Sequence, residues 1–158
     1  MGARVIAVDI SAEKVELARS FGASEGVNAK ATPHVAREIH RICGGAHLSV
    51  DAVGHPRISR NSVKSLRKRG RHIQIGLTIA EERSVSVPMD MVIAWELELL
   101  GSHGIQSHRY ADMLTWVKEQ KIDLKRLVHR TVSLEESIDV LVNMDSFTGL
   151  GVTVIDEF

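Results

Sequence analysis

Arg4-Val-Ile-Ala-Val-Asp9, followed at once by Ile10-Ser11-Ala-Glu-Lys14, is the stretch that decides the fold. The first run is apolar almost without interruption, the pattern of a strand covered on both faces rather than of one with a wet side. Ser11 stands where it can cap a following helix, and Gly22 where it can end one. Between them Val15, Leu17, Ala18 and Phe21 include the i, i+3 spacing of a buried stripe. The chain therefore opens with a buried strand that ends on a carboxylate and leads directly into a helix.

Outward from this unit the alternation continues. Gly26-Val-Asn28 reads as a short strand. Thr32-Pro33 reads as an N-cap with proline in the first turn, and Val35, Ala36, Ile39, Ile42 and Cys43 mark the inner face of a helix stopped by Gly44-Gly45. Leu48–Val53 is the next strand, with Gly54 as its turn, followed by a helix over Ile58–Lys68 that Gly70 terminates and a strand over Arg71–Ile75 that ends at Gly76. Ser84–Val87 alternates as an edge strand would, and Pro88 closes it. Beyond it come a short helix over Met89–Trp95, a strand over Leu97–Gly101 and a helix over Tyr110–Glu119. An extended run over Leu127–Val132 leads to a helix over Leu134–Met144, opened by Ser133 and Glu136 as a capping box, and a last strand over Gly151–Ile155. Strands alternating with helices imply βαβ units: an α/β fold with a doubly wound parallel sheet, whose ligands bind at the carboxyl ends of the strands.

Composition narrows the function classes. The 158 residues are 44% hydrophobic and 25% charged, which excludes a disordered chain, and only 4% aromatic, so Val, Ile, Leu, Ala and Met must build the core. Twenty Lys and Arg balance twenty Asp and Glu, which disfavours a nucleic-acid or anionic-membrane binder. Met91–Leu100, the most apolar stretch, is broken by Glu96 and Glu98 and is far short of the ~20 residues that cross a bilayer. Cys43 is the single cysteine; it excludes an intramolecular disulfide, disfavours a cysteine zinc site and fits a reducing, cytoplasmic setting. Met1-Gly2 does not continue as a myristoylation motif, because Ile6 stands where Ser or Thr is needed.

Chemistry centres on Asp9. An acid at the carboxyl end of such a strand accepts hydrogen bonds from adenosine ribose hydroxyls in dinucleotide-binding folds, and it repels a 2′-phosphate, favouring NAD over NADP. The structural alternative is that Asp9 only helps to start the helix. The Gly-rich turn that holds the pyrophosphate is expected roughly 20 residues before such an acid. Only eight residues precede Asp9. Strand one, that turn and the first helix are therefore expected to be missing. The histidines show no i, i+4 helical pairing, and neither His34 with His40 nor His103 with His108 shares a helix face, so no metal site is expected. The basic cluster Lys64–Arg71 reads as a solvated helix end and loop, Cys43 as an inert thiol, and Trp95 and Trp116 as packing residues.

Taken together, Val-Ile-Ala-Val-Asp-Ile-Ser-Ala-Glu-Lys (5–14), Phe-Gly-Ala-Ser-Glu-Gly-Val-Asn (21–28), Val-Asp-Ala-Val-Gly (50–54), Gly-Arg-His-Ile-Gln-Ile-Gly-Leu (70–77) and Glu-Leu-Leu-Gly-Ser-His-Gly (98–104) resemble the zinc-dependent alcohol dehydrogenases of the medium-chain dehydrogenase/reductase superfamily. The resemblance covers essentially the whole chain, in family order. It implies a Rossmann-like domain over 1–158, incomplete at its start, that serves hydride transfer between NAD and an alcohol or its aldehyde or ketone. The zinc ligands and Gly-rich loop of the family are implied to lie upstream. The expected catalytic and metal residues within this chain are accordingly none, and the isolated chain is expected to be inactive.

Matched position by position, the resemblance makes Asp9 the ribose-binding acid and Lys14 the basic residue near that ribose. Val53 and Gly54 match the adenine side of the groove. Ile75, Gly76 and Leu77 match the backbone segment beside the nicotinamide, and Ser102 and His103 its far side. Val152 departs from the family, many of whose members carry Arg there to clamp the pyrophosphate. Ser84–Val87 resembles the segment that pairs across a two-fold axis, which implies a homodimer. Two alternatives remain: a non-catalytic structural or oligomerising fragment, and a zinc-free quinone-reductase-like oxidoreductase. The second usually prefers NADP and would not want Asp9. Without strand one, Arg4–Asp9 and Leu48–Val53 lack their shared neighbour; direct pairing of the two, a strand from another chain, or aggregation is expected.

Overall fold

A computed structural model describes residues 2–78, 84–120, 122–146 and 149–158. The chain divides into two units, Met1–Ile105 and Gln106–Phe158.

The first unit alternates as expected: β1 (Ile6–Asp9), α1 (Ala12–Ser20), β2 (Glu25–Asn28), α2 (Val35–Cys43), β3 (Ala46–Asp51), α3 (Pro56–Lys64), β4 (Leu66–Gln74), α4 (Met89–Ala94) and β5 (Glu98–Gly101). Every ladder is parallel. The strands form two sheets, β1-β2 and β3-β4-β5, and β1 does not pair with β3. Direct pairing of these two strands, one of the outcomes expected from the sequence, is therefore not formed. Val8 and Val50, expected to be covered on both faces, are 46% and 50% exposed.

Two clusters hold the unit. Val27, Val35 and Ile39 pack β2 against α2, and Val63, Leu66 and Leu97 join α3 to the β4-β5 side. Ala46, at the start of β3, touches both clusters. His40 on α2 stacks edge-on against Trp95 at 5.8 Å and donates from Nε2 to the Lys64 carbonyl at 3.1 Å.

Three boundaries differ from the sequence reading. The N-cap of α2 is His34, not Thr32, because the Asn28 side chain takes the Lys30 and Ala31 amides and turns 28–31 away from helix. Helix α3 stops at Lys64, and Gly70 lies inside β4 rather than ending a helix. The register shift between Ala46↔Leu66 and Leu48↔Arg71 explains this: β4 bulges through Arg69, at φ 60°. Lys64 therefore ends the helix as expected, but the rest of the cluster, Arg67–Arg71, lies along a bulged strand rather than a loop, where Arg71 bonds Glu98 at 2.8 Å and Arg69 faces Glu96 at 3.6 Å. Ser84–Val87 has no ladder partner among the described residues, so the expected edge strand is not formed within the chain.

The second unit comprises a 3₁₀ turn over Ser107–Arg109, α5 (Tyr110–Glu119), a 3₁₀ turn over Leu124–Leu127, β6 (Val128–Ser133), α6 (Ser137–Val142) and β7 (Val152–Glu157), with β6 parallel to β7. The capping box is formed: the Glu136 amide donates to Ser133 Oγ at 3.2 Å, and the Ser133 amide to Glu136 Oε2 at 3.0 Å. The helix proper begins later than expected, at Ser137. Trp116, expected to pack, is 39% exposed. No helix among the described residues is long and apolar enough to cross a membrane.

Candidate functional site

In the first unit, the residues singled out from the sequence stand at the carboxyl ends of the parallel strands. Asp9 ends β1, and its Oδ1 accepts the Ser11 amide at 2.8 Å. Ser11 Oγ in turn accepts the Lys14 amide at 3.3 Å as the N-cap of α1. The helix-starting role of Asp9 is thus present, and it engages one oxygen; among the described residues Oδ2 accepts no hydrogen bond. A half-buried carboxylate with one oxygen fixed and the other open suits a pair of hydroxyl donors.

The turns after β3 and β4 meet. A Cβ placed on Gly54 would stand 2.7 Å from the Gly76 carbonyl carbon and 2.6 Å from that of Leu77, and a Cβ on Gly76 would stand 2.6 Å from the Val53 nitrogen. Gly54 has φ 86°, where a side chain is strained in any case. Val53, Gly54, Ile75, Gly76 and Leu77 are thereby gathered at one place. Val53 is 66% exposed and Leu77 61%, an open apolar surface suited to the flat face of a base or ring. Ser102 follows β5 and donates its amide to the Gln74 carbonyl at 2.9 Å, which sets it beside the β4 end. His103 is exposed. Asp9 belongs to the other sheet, β1-β2, and Lys14 lies in the first turn of the helix α1 that follows it. Val152 begins β7 in the second unit.

The residue that organises the turns was missed from the sequence. Asp51, the last residue of β3, is 1% exposed. Its Oδ1 accepts the Val53 and Gly54 amides at 2.8 and 3.0 Å. Its Oδ2 accepts Ser59 Oγ at 2.6 Å and Gln74 Nε2 at 3.0 Å. Burial pushes this carboxyl up, but the Ser59 hydroxyl, the Gly54 and Val53 amides and the Gln74 amide together hold it below the ordinary carboxylate value. A sequence signal existed: an acid inside an apolar run, two and three residues before Val53-Gly54, is the pattern of a side chain capping a turn.

On the α3 side of the same sheet lies a cavity of about 260 Å³, lined by Val63, His72, Gln74, Val85, Val87 and Leu99 among others. Cys43 is half-buried and donates to the Ile39 carbonyl at 3.2 Å. Among the described residues no three His, Cys, Asp or Glu side chains gather as a metal site.

The chain is similar to known proteins in sequence and in fold. The chain is 27% identical to an NAD-dependent alcohol dehydrogenase of Saccharolobus solfataricus, over 98% of the chain and 43% of that protein. It is 25% identical to a D-xylulose reductase of Saccharomyces cerevisiae, over 87% of the chain and 39% of that protein. In structure it matches an alcohol dehydrogenase of Aeropyrum pernix with a TM-score of 0.80 at 26% identity, covering 98% of this chain and 43% of that one. The chain thus spans well under half the length of the relatives it matches. The family model described as "Zinc-binding dehydrogenase" matches residues 1–119, three quarters of the chain, and with the parallel α/β architecture above it establishes that the chain belongs to the zinc-binding dehydrogenase family.

Proposed function

We propose that this chain is the cofactor-binding portion of an NAD-dependent, zinc-dependent alcohol dehydrogenase, a protein that interconverts an alcohol and its aldehyde or ketone. One observation carries the reading: Asp9 ends a parallel strand with Oδ1 fixed by the Ser11 amide and Oδ2 accepting no hydrogen bond among the described residues. Asp9 takes the adenosine ribose hydroxyls, and Lys14 stands near that ribose. Val53 and Gly54 form the adenine side. Ile75, Gly76 and Leu77 offer backbone to the nicotinamide, with Ser102 and His103 beyond. When bound, the nicotinamide supplies hydride chemistry and a zinc ion polarises the substrate oxygen. No metal-ligand set is gathered among the described residues, so no step is assigned to zinc in this chain. What its own residues do is bind and orient: the two glycine turns keep bulk away from the groove, and Asp9 selects against a 2′-phosphate.

The same reading takes the protein as cytoplasmic and as a homo-oligomer joined through Ser84–Val87, whose alternation leaves Val85 and Val87 half-buried without a ladder partner among the described residues. A second reading, a non-catalytic structural module, draws on the edges of β1 and β3 that have no ladder partner among the described residues. Amide hydrogen exchange with and without NAD separates the two. Protection gained at Gly54 and at Ile75–Leu77 is expected; no change anywhere in 2–78 at millimolar NAD would leave only the structural module.

A further inference from the structure

The polar groups behind the glycine turns form one chain whose hydrogen-bond directions are fixed from one end. The Asp51 carbonyl accepts the Ile75 and Gly76 amides, both at 2.8 Å, while its carboxylate accepts from Val53, Gly54, Ser59 and Gln74. Gln74 Nε2 reaches a second acceptor, the Gly76 carbonyl, at 2.8 Å. A carboxylate and a carbonyl only accept, so the Gln74 nitrogen must face them and Oε1 must face away. Oε1 meets His72 Nε2 at 3.2 Å, and that nitrogen must therefore carry a hydrogen. In the neutral ring Nδ1 is then an acceptor, and it is met by Ser49 Oγ at 3.1 Å and Ser62 Oγ at 3.2 Å, both able to donate. His72 is 4% exposed.

We infer that Asp51 is a positioning residue for cofactor binding: it holds the Val53–Gly54 turn directly, holds the Ile75–Gly76 turn directly and through Gln74, and through Gln74 sets His72 in its Nε2–H form. The consequence for the cofactor rests on the function proposed above, but the hydrogen-bond assignment does not. In Asp51→Asn, the new Nδ2 faces two donors. The Ser59 hydroxyl can turn to the His55 carbonyl, already 3.3 Å away. Gln74 has no such escape; its amide must flip, which presents Nε2 to His72, moves the ring hydrogen to Nδ1 and strips the Gly76 carbonyl of its donor.

The test is nitrogen-15 NMR of the histidine rings together with amide exchange and NAD titration, all on the full chain. His72 is expected as Nε2–H in the unsubstituted protein and as Nδ1–H in Asp51→Asn, with faster exchange at Val53 and Gly54. Ser59→Ala, which leaves the Gln74 link in place, is expected to keep Nε2–H. An Nδ1–H ring in the unsubstituted chain overturns the assignment, whether or not any variant folds. So does an Asp51→Asn protein that keeps both Nε2–H and slow exchange. NAD affinity is expected to fall by about fivefold or more in Asp51→Asn. If the unsubstituted chain binds NAD and the variant matches it within about twofold, the positioning role is overturned. If the unsubstituted chain binds no NAD, the proposed function fails while the ring and exchange results still decide the hydrogen-bond assignment.

Discussion

Gly54 and Gly76 touch backbone to backbone across the ends of two neighbouring strands, close enough that neither position has room for a methyl group. The contact exists because β3 and β4 are in parallel register through Asp51↔Gln74 and both chains turn immediately afterwards. Gly76→Ala is expected to destabilise the protein by about 1–3 kcal/mol, the usual effect of forcing an added methyl into a filled space. Gly54→Ala should cost more, since its φ of 86° adds backbone strain. Thermal or urea unfolding of both variants checks the order. Equal stability to the unsubstituted chain would show that the turns do not meet.

Removing the Asp51 side chain leaves four donors without their acceptor. Asp51→Ala is expected to cost about 3 kcal/mol or more, at the upper end of what buried unsatisfied groups produce. The carboxyl is held below its ordinary value of 3.8, so its stabilising contribution is present above that value and is lost as the pH falls beneath it. Urea unfolding from pH 6 downward should show a steeper acid loss for the unsubstituted chain than for Asp51→Asn. Parallel pH curves would contradict this.

The capping box in the second unit predicts a smaller effect. Ser133→Ala removes the acceptor of the Glu136 amide and is expected to destabilise that unit by about 1 kcal/mol. Hydrogen exchange confined to 134–142 should report it, and an increase spread over the first unit would not fit.

Assembly through Ser84–Val87 predicts a dimer whose mass falls in Val85→Pro, because proline removes a ladder donor from the proposed pairing strand. Light scattering decides it. A monomer that is unchanged by the substitution would refute the dimer.

The order of elements in the first unit was readable because apolar runs alternate with amphipathic stretches, and capping or glycine positions mark several of the boundaries. Ser11 and Gly44 illustrate this: the first accepts the Lys14 amide, and the second takes φ 73° after α2. The end of α3 was not readable. Arg67–Gly70 carries no apolar alternation, and its strand form depends on a bulge set by pairing with Ala46 and Leu48, contacts 20 or more residues away. The site was half readable for a similar reason. Asp9 and the two glycines announce themselves in local sequence and Asp51 only as a turn cap, whereas Gln74 and His72 acquire meaning only when β3 and β4 come together.

Asp9 is proposed to make this chain a groove for NAD. Isothermal titration of the full chain with NAD and with NADP tests it most directly. Tighter binding of NAD by about tenfold or more is expected from the repulsion between a carboxylate and a 2′-phosphate, and Asp9→Gly should narrow that gap. Equal affinity for the two cofactors, or a preference for NADP, would contradict the account.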